Sequence, residues 1–267
     1  MRYHLFLYVF VCVLGLLNYS CTNSDEDSND DKLHDTKSIC LYGDSTFDPD
    51  YLYSYLKDSL GFDKVYNRCV PGCGYKNGPV NTVYYFVAKA DTAFRLRYGD
   101  PVNDPSIDKT NLPEGCKEID AHQYSEERIN TIPIKCDFVL IGGGINDLSS
   151  LNNEDNLENG RFEECVLSTI SKIKQRCPHA KLLICGISPS VSMLGGVYTQ
   201  EALWVDSCIE KSADFNAIPF CSLIDNLGWN ATNIMEFTDG VHPNNEQGRK
   251  LYAEVVGKFV RANSSQQ

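Results

Sequence analysis

Five short strand-like runs, most of them continuously apolar, recur along the chain, and segments of helical period separate them. The runs are Ser38–Tyr42, Lys64–Val70, Phe138–Ile141, Lys181–Ile187 and Ile218–Leu223. The apolar ones do not alternate with polar residues, so they read as strands covered on both faces, the signature of a parallel sheet between helical layers. Tyr51–Leu60 reads as a helix with Leu52, Leu56 and Leu60 on one stripe and Gly61 as its stop. Further helices are predicted over Thr82–Arg97 (Val83, Phe86, Val87, Ala90 and Phe94 inward), Arg161–Arg176, Glu201–Phe215 and Glu246–Val260. The polar stretch from Asp100 to about Gln123 reads as an inserted loop. A chain of 267 residues fits one such α/β domain. In a sheet of this kind, reactive groups gather beyond the carboxyl ends of the strands.

The first twenty residues carry Arg2 and then an apolar run from Leu5 to Leu17, a signal-peptide pattern too short for a confident membrane span. Cys21 follows, and then an acidic stretch to residue 37 that reads as a solvated tether. A Cys after an apolar signal, trailed by a polar tether, resembles a bacterial lipoprotein signal with Cys21 as the lipidated residue. Asn18 departs from that pattern, in which an apolar residue usually stands there. An ordinary cleaved signal that leaves Cys21 free is the alternative, and an uncleaved anchor is a third. The first two readings export the protein to the cell envelope or the medium. The net charge of -12 repels phosphate backbones, which argues against nucleic acid as a partner. Export makes disulfides possible. Cys40 and Cys185 lie inside strand-like runs and read as buried small hydrophobes, whereas Cys116 and Cys136 are candidates for a cross-link. No Cys or His spacing fits zinc.

Four segments fall at predicted strand ends or in the last loop: Gly43-Asp44-Ser45, Asn67 to Gly72, Gly144-Ile145-Asn146-Asp147, and Asp239-Gly240-Val241-His242-Pro243. Serine attacks a carbonyl only when a base takes its proton, and that base is usually a histidine held in one tautomer by a carboxylate. Asp239 and His242, three apart on a Gly-containing loop, can supply such a pair to Ser45. The oxyanion of a tetrahedral intermediate needs donors, and the N–H groups of Ser45 and Gly72 with the side-chain amide of Asn146 are the candidates. Asp44 and Asp147 read as braces of their loops. Each assignment has a plainer rival: Ser45 as a helix cap, Asn146 as a turn residue, Asp239 as a cap of its own loop. Tyr84, Tyr85 and Trp204 can line a sugar pocket or simply fill the core.

The four blocks, in this order, resemble the SGNH (GDSL-type) hydrolase family over roughly residues 38–260. The resemblance implies a flavodoxin-like three-layer α/β/α sandwich with a central five-stranded parallel sheet. It implies a Ser45–His242–Asp239 triad, an oxyanion hole of Ser45, Gly72 and Asn146, and ester hydrolysis through an acyl-enzyme with no metal or organic cofactor. The chain departs from the family at Cys69 and Pro71, where Gly and a small residue are usual, and Gly74 competes with Gly72 as donor. The organisation expected is a signal peptide (1–20), a tether (21–37), a hydrolase domain (38–262, with the insertion at about 100–123) and a tail (263–267). The substrate expected is an acylated carbohydrate, attacked by an O-deacetylase. A lipase or lysophospholipase with the same machinery is the alternative, and a non-catalytic carbohydrate-binding protein is the second.

Overall fold

A computed structural model describes residues 37–47, 50–76, 83–86, 98–99, 116–119, 122–150, 161–190 and 199–264. All lie in the second of the two units into which the chain divides, Asp35–Gln267. The strands are β1 (Ser38–Tyr42), β2 (Lys64–Asn67), β3 (Val83–Phe86), β4 (Tyr98–Gly99), β5 (Cys116–Ile119), β6 (Phe138–Ile141), β7 (Lys181–Cys185) and β8 (Phe220–Cys221). The helices are α1 (Asp50–Ser54, continued by one wide turn to Ser59), α2 (Glu126–Ile129), α3 (Arg161–Arg176), α4 (Gln200–Phe215), α5 (Leu223–Leu227), α6 (Ile234–Phe237) and α7 (Glu246–Ser264).

The main sheet has the order β2-β1-β6-β7-β8 and every pairing in it is parallel. This is the five-stranded parallel sheet and flavodoxin-like order that the sequence led us to expect. Successive residues point to opposite faces, and both faces are buried. Cys40, Tyr42, Val139, Ile141, Leu182 and Ile184 pack under α3 and α4, against Phe162, Val166, Ile170, Val205 and Ile209. Ile39, Leu41, Phe138, Leu140, Leu183 and Cys185 pack against Leu52 and Leu56 of α1 and Tyr252, Val256 and Val260 of α7. Each such aliphatic side chain contributes roughly 1.5–3 kcal/mol when removed from water. That is why the strands can be continuously apolar without exposing a face.

Local signals set the helix ends. Thr199 caps α4 by accepting from Ala202 N at 3.3 Å. Asn245 caps α7 by accepting from Gly248 N at 2.8 Å. Gly248 has no Cβ because one would stand 2.0 Å from the Phe237 carbonyl, so α7 starts hard against the end of α6.

Three expectations are overturned. The predicted helix over Thr82–Arg97 begins instead as β3, paired antiparallel with β4 and β5. The helical spacing there is real, but Val-Tyr-Tyr-Phe is a β-branched and aromatic run, and strand partners outweigh the spacing. Residues 87–97 lie outside the described residues. The insertion at 100–123 is also not loop throughout, since it carries β5. Cys136 is a free thiol that donates to the Phe138 carbonyl at 2.9 Å, so it is not cross-linked to Cys116. Cys40 and Cys185 are buried and unpaired.

Candidate active site

The chain leaves β1 for β2 on one side and leaves β6 for β7 on the other, so the sheet order reverses between β1 and β6. A crevice opens at such a switch point, beyond the carboxyl ends of the strands. The segment leaving β1 carries Ser45. Asp44 folds it into a tight turn: its Oδ1 accepts from Thr46 N at 2.8 Å and from Thr46 Oγ1 at 2.6 Å. Burial pushes the Asp44 carboxyl above its usual range. Gly43 and Gly142 are required by contact. A Cβ on Gly43 would lie 2.6 Å from the Gly142 carbonyl, and one on Gly142 would strike the Phe47 ring at 2.0 Å.

The loop from Thr238 to Pro243 presents the imidazole. The two ends pair as an antiparallel bridge, and Asp239 Oδ1 accepts from Val241 N at 3.0 Å and His242 N at 2.8 Å. Gly240 takes φ +107°, a conformation that a side chain rarely adopts. Asp239 Oδ2 lies 3.4 Å from His242 Nδ1, and His242 Nε2 lies 2.8 Å from Ser45 Oγ. Hydroxyl, imidazole and carboxylate thus form one chain. With the carboxylate on Nδ1, the tautomer that fits carries its hydrogen there and offers the Nε2 lone pair to the serine. Hydrogen bonds from the His242 backbone, more than any other influence, hold the Asp239 carboxyl below its usual range. The side chains of His242 and Asp239 are 43% and 49% exposed, so the site opens to solvent.

The loop after β2 makes a tight turn, Val70-Pro71-Gly72-Cys73, closed by Cys73 N donating to the Val70 carbonyl at 3.2 Å. Gly72, at φ +75°, is the third residue of the turn and is exposed. Pro71 is therefore the residue this turn prefers at its second position. Asn146 Nδ2 donates to the Cys73 carbonyl at 2.8 Å, which sets the amide beside this turn. Asp147 holds the same loop through Tyr75 N at 2.9 Å and Lys76 N at 2.8 Å. Gly74 is buried under that carboxylate, where a Cβ would lie 2.3 Å from Oδ2. The Ser45 turn and the Gly72 turn meet at the Gly43 carbonyl, which accepts from Val70 N at 2.9 Å. Trp204 packs at 5.8 Å against Phe162 in the core. The side chains of Tyr84 and Tyr85, and Cys21 altogether, lie outside the described residues.

Two residues of this region carried no signal in the sequence. Gln123 donates its backbone N–H to the Gly74 carbonyl at 3.0 Å and its side-chain amide to the Gly142 carbonyl at 3.1 Å. Arg128 lies wholly buried beneath the two turns. Among the described residues, no three His, Cys, Asp or Glu side chains stand together as a metal site.

No protein-family model and no curated protein matches the sequence. Solved structures do match in fold. A protein of Lactobacillus plantarum superposes with a TM-score of 0.56 at 14% identity, over 85% of this chain and 97% of its own. An acetyl xylan esterase gives 0.51 at 16% identity, over 83% and 98%. A GDSL-like lipase from Parabacteroides merdae gives 0.50 at 15%, over 84% and 96%. These likenesses show that the chain shares its fold with an acetyl xylan esterase and a GDSL-like lipase.

Proposed function

We propose that the protein is a serine esterase that removes small acyl groups, acetyl foremost, from carbohydrate. The observation that carries the reading is the 2.8 Å contact between Ser45 Oγ and His242 Nε2. Ser45 Oγ attacks the ester carbonyl as its proton passes to Nε2, and the C–O π pair moves onto the carbonyl oxygen. The Ser45 and Gly72 N–H groups and the Asn146 amide stabilise that oxyanion. Its collapse expels the sugar oxygen, which takes the proton from His242 and leaves an acyl group on Ser45. Water, deprotonated by the same imidazole, then releases the acid. Asp239 orients the ring and stabilises its charged form throughout.

Two features support a carbohydrate substrate. The open edge of the site lets an acyl group on a large glycan reach Ser45, and an acetyl xylan esterase shares the fold. The signal-like first twenty residues and the acidic stretch after Cys21 support export, with Cys21 as a lipid anchor.

A fluorophosphonate probe should label the wild type and not Ser45→Ala. The wild type should cleave acetyl esters and acetylated xylo-oligosaccharides in preference to long-chain esters. A preference for long-chain esters would make the protein a lipase instead. No labelling, with binding of unmodified glycans, would make it a carbohydrate-binding protein.

A further inference from the structure

Arg128 is 0% exposed, an unusual place for a guanidinium. It reaches its position on α2, immediately after the insertion, and its plane lies 4.4 Å over the Tyr42 ring at the end of β1. Its donors fan out to both turns of the site. Nη2 bonds the Gly43 carbonyl, two residues before the nucleophile, and the Arg68 carbonyl at 3.2 Å. Nη1 donates to Cys73 Sγ at 2.8 Å, and the Cys73 thiol in turn donates to the Gly43 carbonyl at 3.2 Å. Burial holds that thiol neutral by pushing it up to about 12, so it serves as donor and acceptor together. Cys73 is the residue after Gly72, and its carbonyl receives the Asn146 amide.

We infer that Arg128 is a positioning residue, one that fixes the distance between the Ser45 hydroxyl and the oxyanion donors at Gly72 and Asn146. The inference rests on the esterase reading. A planar fork can hold three acceptors on two loops at once, which a lysine ammonium on its flexible stem cannot. Oxyanion donors act only where charge develops, so misplacing them by about 1 Å costs about 100-fold in rate and little in ground-state binding.

The test compares wild type, Arg128→Lys, Arg128→Ala and Ser45→Ala on p-nitrophenyl acetate, with thermal melts of each. Both Arg128 variants should lose about 10–100-fold in kcat while KM stays within about threefold. Millimolar guanidinium, filling the space left in Arg128→Ala, should restore part of kcat, and sodium chloride at equal ionic strength should not. A folded Arg128→Ala with kcat near wild type overturns the inference. So does a loss confined to KM, or a loss in kcat that guanidinium leaves untouched. Failure of both variants to fold overturns it as well, because Arg128 would then serve folding and not geometry. A wild type that neither hydrolyses the ester nor takes a fluorophosphonate removes the esterase reading itself, whatever Arg128 does.

Discussion

Asp239 does two jobs with its two oxygens. Oδ1 closes its own loop through two backbone N–H groups, and Oδ2 stands 3.4 Å from the imidazole, a long contact on an open surface. The hydroxyl at 45 has no such redundancy. Ser45→Ala should therefore lower kcat by about 10⁶-fold, while Asp239→Ala should cost roughly 10⁴-fold, both read on a small acetyl ester. A larger loss in Asp239→Ala than in Ser45→Ala would mean that the carboxylate, not the hydroxyl, carries the chemistry. Glycines separate two kinds of constraint at the same scale. Gly61 has φ +71° and open space around a Cβ, whereas Gly74 is confined by the Asp147 carboxylate at 2.3 Å. Gly61→Ala should cost about 1–2 kcal/mol in urea melts and leave activity intact. Gly74→Ala should cost about 1–3 kcal/mol and activity too, because Asp147 must move and it holds the Gly72 loop. Among residues, the ones that meet at the crevice were legible because chemistry demands their types and the strand ends told where to look. Arg128 was not. In Ser-Glu-Glu-Arg it looks like one more solvated charge, and only the packing of α2 onto Tyr42 buries it.

Asp206 shows how an element carries a charge that the sequence gives no reason to notice. It sits on α4, and its carboxylate accepts from Ile187 N at 2.9 Å and Ser222 Oγ at 3.1 Å, fastening the ends of β7 and β8. Burial raises its pKa to about 6. The folded state then binds this proton more tightly than the unfolded chain, whose carboxyl titrates near 3.9. Stability from this group is thus greatest at acid pH and declines as pH rises through the interval between about 4 and 6, by on the order of 2–3 kcal/mol. Denaturant melts across that interval should show the decline in wild type and lose it in Asp206→Asn. An unchanged pH slope in that variant would assign the decline to other groups. Elements were legible in proportion to their period. α3 appears with the predicted bounds because Phe162, Val166, Ile170 and Ile173 mark one stripe over four turns. β8 shrinks to Phe220–Cys221, pairing only β7 at the sheet edge. The segment from Val83 misled because a four-residue run of one valine and three aromatics fits both periods, and the choice was made by partners far away in sequence.

At the scale of the whole molecule, β1 is where fold and proposed chemistry meet. It pairs on both sides, with β2 and β6, and its end carries Ser45. Its start is tied down as firmly. Ser38 donates N–H and Oγ–H to Asp137 Oδ2 at 2.7 and 2.6 Å, and the Lys37 carbonyl accepts from Asp63 N at 2.9 Å. A chain begun at Asp35 keeps every one of these bonds and the whole second unit. It should melt within about 2 °C of the full chain and match its kcat, since the bonds at the start of β1 are all kept. A chain begun at Ile39 loses the Ser38 bonds to a carboxylate, worth about 1.5–3 kcal/mol, and should melt lower by about 5 °C. Its kcat, measured well below the melt, should nonetheless stay close to that of the longer chain. The loss falls at the amino end of the strand, and the turn that holds Ser45 is braced separately by Asp44, Gly43 and Gly142 at the other. If kcat fell together with the melting temperature, the two ends of β1 would be coupled. The Ser45 turn would then depend on the strand's full length and not on its local contacts.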